Sequence, residues 1–305
     1  HVHMAASNAC RDVAPLVCEF LRGRPRWPFF AMVGFQEAHR PFPHAPHPVP
    51  QAAVPHYLPS AEAVRRDLAG LQEAVRRFDA ALGDILRALE ETGAKDSTLV
   101  LYTTDHGIAF PGAKATLFEP GVEIALIARG PEPFRGGRIV SSLVSNVDVL
   151  PTLLEWAGVP PPEGLDGRSL LPLLTGGAEA VRDAVWFELT YHAAYDPMRG
   201  IRTERYKYIH SYEEKPVWVG ANVDGGPSKD WFLTHRPWLF TAQRPREYLF
   251  DLAQDPQERR NLADSPAHSA VLEELRARVE STMRANGDPL LGGTVPAPEG
   301  ARVDG

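Results

Sequence analysis

The sequence predicts an α/β protein in two parts, residues 1–181 and 182–305. Two observations carry this prediction. Between residues 27 and 104, two apolar runs of strand length flank one long amphipathic pattern of helical period. From about Arg182 onward, short segments of alternating polarity follow one another with turn residues between them, which is typical of a small antiparallel sheet.

The elements of the first part follow one another in a regular order. Apolar residues at helical spacing predict a helix over Asp12–Arg22, and the apolar run Trp27–Phe35 is typical of a strand buried on both faces. After a Pro/His-rich loop, a helix over Ala61–Thr92 stops at Gly93, and Ser97–Thr104 forms a second buried strand. Strand, helix and strand in this order predict a βαβ unit of a parallel sheet.

The remaining elements are shorter. Val122–Ala128 reads as another strand, and Ser142–Ala157 as a passage from strand to helix around Asp148. A last amphipathic helix is predicted over Ala267–Arg284, before a Gly/Pro-rich tail. Four segments are predicted to pair as the antiparallel sheet: Ala184–Leu189, Arg199–Arg202, Tyr206–His210 and Glu247–Asp251.

Composition excludes several classes of protein. The 305 residues carry a net charge of -7, so there is no basic footprint for nucleic acid, although a local pocket can still attract an anionic substrate. Cys10 and Cys18, eight residues apart on one predicted helix, are too distant to form a disulfide, and no CxxC pattern indicates a cysteine metal site. No run approaches the ~20 apolar residues of a membrane span.

Chemistry-capable residues follow both predicted strands, where sites form in parallel sheets. Asp105 and His106 offer a carboxylate and an imidazole side by side at the end of the second strand. Oxygen-rich sites suit Ca²⁺, Mg²⁺ or Mn²⁺, and a histidine ligand shifts the preference toward Mn²⁺ or Zn²⁺. The alternative is that Asp105 only caps the turn that follows it.

Three further residues are candidates for catalysis or substrate binding. The ammonium of Lys114 is suited to stabilise negative charge that develops on an anionic ester, or it is simply a solvated surface group. His39 follows the first strand and is suited to act as a general acid, with a loop histidine as the alternative. Glu37 is predicted to orient His39 or to touch substrate, unless it is merely solvated.

Taken together, these residues resemble the motifs of the sulfatase family, in the family's order and over almost the whole chain. Within that family, Tyr195–Arg199 (YDPMR), Ile108–Pro111 (IAFP) and Asp288–Leu290 (DPL) are most similar to the heparan N-sulfatase (sulfamidase) branch. The segments that carry the family resemblance are Phe29–Phe42 (FFAMVGFQEAHRPF), Thr103–Gly107 (TTDHG), Lys114–Val122 (KATLFEPGV), Val147–Leu154 (VDVLPTLL), Leu165–Leu170 (LDGRSL), Arg199–Tyr208 (RGIRTERYKY) and Glu247–Leu262 (EYLFDLAQDPQERRNL).

The resemblance implies an alkaline phosphatase-like three-layer sandwich with a largely parallel sheet, plus a small C-terminal antiparallel α+β subdomain. It implies that Asp105 and His106 bind a divalent ion, usually Ca²⁺, with Mn²⁺ as a second candidate because His106 replaces the commoner Asn. It also implies a sulfate contact from Lys114 and a sulfate or leaving-group contact from His39. His192 is a candidate for lining the substrate pocket, with a structural loop histidine as the alternative.

The resemblance also implies a formylglycine nucleophile, made from Cys or Ser in a Cys/Ser-x-Pro/Ala-x-Arg motif, and two acidic metal ligands near the family's N-terminus. Neither Cys10 nor Cys18 is followed by that pattern. We therefore expect that the first strands, the nucleophile and those ligands precede His1, and that the chain is the C-terminal portion of its parent.

The implied activity is removal of sulfate from a sulfated sugar such as N-sulfoglucosamine. Two alternatives stay open: a phosphonate or phosphodiester hydrolase of the same superfamily, which His106 favours, and a truncated, non-catalytic relative. The family resemblance is compatible with a periplasmic or extracellular location. The sequence leaves the compartment and the oligomeric state open, as it does the choice between O- and N-sulfate.

Overall fold

The computed structural model describes residues 7–26 and 28–303, which form two compact units. The first unit contains the described residues up to Tyr102, with Ile127–Arg135 and Asp224–Trp231. The second contains Thr103–Leu126, Gly136–Val223 and the described residues from Phe232 onward. The predicted boundary after residue 181 stays a prediction. No helix in 7–26 or 28–303 combines the length and apolarity needed to cross a membrane.

Two helices build the core of the first unit, as predicted. Helix α1 is Cys10–Arg22 and helix α2 is Glu62–Glu91. The buried face of α1 repeats at helical spacing through both cysteines, which are free thiols, and it packs against the C-terminal half of α2. Helix α2 ends where the sequence predicts, because Gly93 has a positive φ of 74° that ends the helical path at little cost.

The predicted strand over Trp27–Phe35 is wrong for its described residues, 28–35. This segment is extended but belongs to neither sheet of the described chain. The side chains of Phe30 and Met32 are 80% and 84% exposed rather than buried. The reason is that a strand needs a neighbour to complete its hydrogen-bond ladder, and no described segment pairs with this one. Trp27 itself lies outside the described residues.

The first sheet has two strands, β1 (Val100–Thr103) and β2 (Leu126–Arg129). They run in opposite directions, since the Thr104 amide donates to the Ala125 carbonyl at one end and Gly130 lies against Leu99 at the other. Both strands are shorter than predicted. The predicted βαβ unit is therefore reduced, in the described residues, to helix α2 and the strand that follows it.

Several short helices lie between the strands along the chain. The predicted strand at the start of Ser142–Ala157 is absent, and a 3₁₀ turn over Asn146–Asp148 leads directly into a helix. Val122 closes a helix rather than opening a strand. These helices are α3 (Glu119–Val122), α4 (Val149–Trp156), α5 (Leu171–Thr175) and α6 (Pro227–His235).

The predicted small antiparallel sheet is confirmed. Its strands are β3 (Ala184–Tyr191), β4 (Tyr195–Thr203), β5 (Tyr206–Ser211) and β6 (Glu247–Asp251), paired in chain order. Helix α7 (Ser269–Ala285) follows, within two residues of its predicted bounds.

Successive side chains of this sheet face opposite layers. Tyr208, fully buried, packs with the apolar face of α7, whereas its neighbour Ile209 packs with Leu117 on the other side. Leu117 lies three residues after Lys114. The sheet therefore supports, on the face opposite α7, the segment that carries the candidate catalytic lysine.

Candidate functional site

The turn after β1 places Asp105 and His106 at the surface. Asp105 Oδ1 accepts a hydrogen bond of 3.0 Å from the amide of the next residue, His106. His106 Nδ1 lies 2.7 Å from the Gly107 carbonyl, which only accepts, so Nδ1 carries the proton. Nε2 is then the free imidazole nitrogen, 3.6 Å from Asp105 Oδ2. This tautomer suits metal binding through Nε2.

Two glycines bring this turn against the Lys114 segment. The Gly107 amide donates to the Gly121 carbonyl at 3.0 Å. A Cβ on Gly107 would lie 1.8 Å from the Pro120 carbonyl oxygen, and one on Gly121 would lie 2.5 Å from the Ala113 oxygen. Because only glycine allows so close an approach, the two sequence motifs that contain these residues pack as one structure.

Lys114 is buried, at 8% exposure, in a tight turn. Its amide lies 3.2 Å from the Ile108 carbonyl, and the following residue, Ala115, has a positive φ of 61°. A non-glycine residue in this region is uncommon and carries backbone strain that the surrounding contacts must hold. A buried lysine is also uncommon unless its charge is compensated, so the alternative of a solvated surface lysine does not describe Lys114.

A buried ion network anchors the end of the Lys114 segment to the second sheet. Lys207 is fully buried, with Nζ 2.9 Å from Glu119 Oε1 and 3.1 Å from Glu258 Oε1. The Glu119 amide also donates to Glu258 Oε2 at 2.7 Å. Burial acts to raise the pKa of Glu119, but Lys207 and Arg202 outweigh it, so this pKa is lowered and Glu119 stays ionised.

Four of the six predicted site residues line one cavity of about 350 Å³ in the second unit: Asp105, His106, Lys114 and His192. The structure thus brings together the two predicted metal ligands, the predicted sulfate contact and the predicted pocket histidine. Other side chains that line the cavity include Thr116, Asn146, Trp186 and Glu188.

Sequence reasoning missed Asn146. This side chain ties the metal turn to the loop before α4, because its Nδ2 donates to the Thr104 carbonyl at 2.9 Å and its Oδ1 accepts from Thr103 at 2.8 Å. A signal was present: Ser145 and Asp148 form a capping box, a spacing that marks the start of a helical turn. That spacing would have predicted an ordered turn at Asn146 instead of a strand.

Glu37 and His39 belong to the first unit. Glu37 Oε1 accepts a hydrogen bond of 2.7 Å from the Cys10 amide at the start of α1. Burial, assisted by Glu37, raises the pKa of the Cys10 thiol to about 11. His39 is exposed, with Nδ1 2.7 Å from the Arg40 carbonyl, which leaves Nε2 as the free nitrogen. Glu37 therefore serves a helix end, while His39 keeps an imidazole nitrogen available.

The loop that carries His39 is held by a buried ion pair within the first unit. Arg40 donates two hydrogen bonds to Asp67, of 2.8 and 2.7 Å. Ser228 Oγ donates to the same carboxylate at 2.5 Å. A Cβ on Gly226 would lie 2.4 Å from the Arg40 guanidinium, so the backbone there approaches as closely as glycine allows. Such charge-assisted, bidentate contacts give the His39 loop a defined anchor.

One serine, Ser7, begins a segment that has the spacing of the family's nucleophile motif. Ser7-Asn-Ala-Cys-Arg11 contains Ser, Ala and Arg at the required positions. Ser7 Oγ accepts from the Ala9 amide at 3.1 Å and donates to Asp12 at 2.6 Å. Both contacts are local to the residues that precede and begin α1, whose N-cap is Ala9.

The described residues fit a divalent ion only in part. Asp105 offers carboxylate oxygen and His106 offers Nε2, but across 7–26 and 28–303 no group of three or more His, Cys, Asp or Glu side chains is placed to hold one ion. Ca²⁺ takes six to eight oxygen ligands. The metal role of Asp105 and His106 stays a prediction.

Adding Ca²⁺ or Mn²⁺ to this 305-residue chain is expected to change its Tm by less than about 2 °C, because a two-ligand site binds weakly and weak binding stabilises little. Differential scanning fluorimetry over micromolar to millimolar metal measures this. The Asp105→Asn/His106→Ala variant serves as the matched control and should respond in the same way. A rise of many degrees at micromolar metal, lost in that variant, would show that another carboxylate completes the site.

Comparisons with known proteins agree with these motifs. The family model described as Sulfatase matches residues 10–159, and the model described as N-sulphoglucosamine sulphohydrolase, C-terminal, matches residues 110–229. The chain is 30% identical to the human N-sulphoglucosamine sulphohydrolase over 90% of its own length and 64% of that protein. It is 31% identical to an ulvan-active sulfatase from Formosa agariphila over 96% of its length and 60% of that protein.

A solved structure agrees with the fold. A crystal structure from Bacteroides thetaiotaomicron, described as that of a sulfatase, superposes with a TM-score of 0.70 at 21% identity. The match covers 95% of this chain and 66% of that one. The chain thus spans somewhat less than two thirds of the length of the relatives it matches.

Proposed function

The chain belongs to the sulfatase family and has an alkaline phosphatase-like α/β fold, and from this premise we propose that the protein containing it removes sulfate from a sulfated sugar. N-sulfoglucosamine is the specific candidate. It is supported by the match of residues 110–229 to the N-sulphoglucosamine sulphohydrolase model and by the human relative of that name. The reaction adds water across the S–N bond and yields sulfate and the free amine.

The observation that carries the proposal is the buried Lys114 on the cavity that Asp105, His106 and His192 also line. A volume of about 350 Å³ lies within the range of small-ligand sites and suits one sugar ring with its sulfate. An ammonium in a site of low dielectric attracts an anion far more strongly than the same group in water. We assign to Lys114 the sulfate oxygens, whose negative charge it stabilises as the S–N bond breaks.

Two further roles complete the proposal. His192 contacts the sugar from the turn that joins β3 and β4. For His39, in the first unit, we propose only the capacity of a general acid, compatible with an exposed imidazole whose Nε2 is free. Glu37 is a less favoured candidate for substrate binding than His192, because one of its oxygens already accepts a hydrogen bond from the Cys10 amide of helix α1. When bound, a divalent ion at Asp105 and His106 would supply positive charge to the sulfate.

The test compares substrates on the full product of the gene that encodes this chain. Sulfate release from N-sulfoglucosamine, glucosamine 6-O-sulfate, an aryl sulfate and an aryl phosphonate should be measured under the same conditions. We expect the highest kcat/KM with N-sulfoglucosamine. Robust phosphonate cleavage beside undetectable sulfate release would overturn the proposal in favour of a phosphonate hydrolase. Glycan binding without turnover of any of the four would identify a non-catalytic relative.

A further inference from the structure

The turn that carries His192 depends on a side chain from elsewhere in the second unit. Strands β3 and β4 do not close as a regular hairpin, because their register shifts between Leu189 and Tyr191. The Ala193 and Ala194 amides both donate to Asn222 Oδ1, at 2.9 and 2.7 Å. One asparagine oxygen thus satisfies two successive amides of the turn and defines its backbone path.

Asn222 is itself held in place by a buried polar cluster. Its side chain belongs to a residue only 3% exposed, and its Nδ2 lies 3.4 Å from the Ala194 carbonyl and 3.5 Å from Asp196 Oδ2. Asp196 pairs with the buried Arg244, whose Nε donates to Ser211 Oγ at 2.9 Å. Each polar group in this cluster has a partner, which makes the cluster rigid.

The cluster also shares a cavity with Lys114. A second, smaller cavity is lined by Asn222, Asp196, Arg244 and Lys114. Lys114 thus lines both this cavity and the candidate substrate cavity. A shift of Asn222 is expected to change the position of His192 and to leave the backbone of the Lys114 turn in place, since the latter is held by its own contacts.

We propose that Asn222 is a positioning residue that sets the conformation of the 191–194 turn and thereby places His192 against the sugar. This inference rests on the proposed function for the role of His192. It concerns substrate binding and not the bond-breaking step, so its signature is a change in KM without a matching change in kcat.

The first test measures kinetics of the full gene product with N-sulfoglucosamine. Asn222→Ala and His192→Ala should each raise KM about tenfold and change kcat less than about threefold, because each loses the contact of His192 with the sugar, and one hydrogen bond to a ligand corresponds to roughly one order of magnitude in affinity. The double variant should be no worse than either single variant, since both changes remove the same contact.

The matched control is Asn261→Ala. Asn261 also accepts from two backbone amides, those of Leu249 and Ala263, but it does not line either cavity described above. The Asn261→Ala variant should have a lower Tm and an unchanged KM. If Asn222→Ala and Asn261→Ala change KM equally, Asn222 is a structural residue only and the inference fails. The inference also fails if the KM increases of Asn222→Ala and His192→Ala multiply in the double variant.

The second test does not depend on activity. Amide hydrogen exchange of Ala193 and Ala194, measured by mass spectrometry on short peptides of the full gene product, should accelerate at least about tenfold in Asn222→Ala relative to the unchanged protein. Amides of β5 should keep their protection. If Asn222→Ala does not fold, Asn222→Ser gives the same readout, because its hydroxyl is too short to reach both amides. Unchanged exchange at both alanines would overturn the positioning role even if the sulfatase activity is established, and accelerated exchange would support it even if that activity is not.

Discussion

Replacement of Lys114 by alanine is expected to lower kcat/KM of the full gene product toward a sulfated sugar about 100-fold or more, the usual effect of removing one preorganised group that stabilises transition-state charge. The physical reason is the burial of Lys114 beside the cavity, where solvent screens its charge poorly. Lys114→Met keeps the apolar length of the side chain without the charge and should lose the same factor. The loss should appear mainly in kcat.

Lys95→Ala is the matched control for this prediction. Lys95 is exposed and pairs with Glu90 at the end of helix α2 in the first unit. A surface ion pair of this kind contributes about 0–1 kcal/mol, so activity and stability should change little. Full activity in the Lys114→Met variant would contradict the assignment of the sulfate contact to Lys114. Activity retained by Lys114→Met but lost in Lys114→Ala would assign to the side chain a packing role only.

The largest expected effect on stability comes from Asp288→Ala, which should lower the free energy of unfolding by about 3–5 kcal/mol. Arg199 is almost fully buried, and it donates to Asp288 at 2.6 Å through Nε and at 3.0 Å through Nη2. Removing the carboxylate leaves a buried guanidinium whose remaining acidic partner is the largely exposed Glu188, with Oε2 3.9 Å from Nε. Asp288 Oδ1 also accepts from the Leu290 amide at 3.0 Å, so the turn after helix α7 loses its cap. Urea unfolding followed by circular dichroism measures the change.

Asp183→Ala provides the control for that measurement. Asp183 is largely exposed and pairs with Arg278 on the surface of α7, at 2.7 Å. Its removal should cost at most about 1 kcal/mol, because water replaces a lost partner at the surface. Equal destabilisation by Asp183→Ala and Asp288→Ala would contradict the argument from burial. Both variants remove one carboxylate from a pair with arginine. The difference between their free energies of unfolding therefore measures the effect of having that arginine buried and not at the surface.

The candidate site was predictable to the extent that its chemistry lies in short contiguous motifs. Asp105 and His106 are adjacent in sequence, and Lys114 follows within one loop, so local spacing was enough to single them out. The structure places all three on one cavity. Asn146 and Asn222 were not predictable in the same way. Each binds groups 28–43 residues away in sequence, and a single asparagine carries no local pattern.

The same distinction explains why the strand predicted over Trp27–Phe35 is wrong for its described residues. An apolar run such as Phe29–Phe35 indicates that a segment can be buried, but a strand forms only where a neighbour pairs with it. No described segment pairs with these residues, and Phe30 and Met32 are exposed. Helices α1, α2 and α7 were predicted within about two residues because their hydrogen bonds are internal to the helix.

The sequence by itself determined the α/β class, helices α1, α2 and α7, the presence of the small antiparallel sheet and the resemblance to the sulfatase family, because these depend on periodicity and on contiguous motifs. Only the tertiary structure decided that Lys114 is buried, that Gly107 and Gly121 join the Asp105 turn to the Lys114 segment, and that Asn222 holds the His192 turn. Burial and close approach are properties of contacts between distant segments. Their energies arise from desolvation and from hydrogen bonds that no local pattern of residues contains.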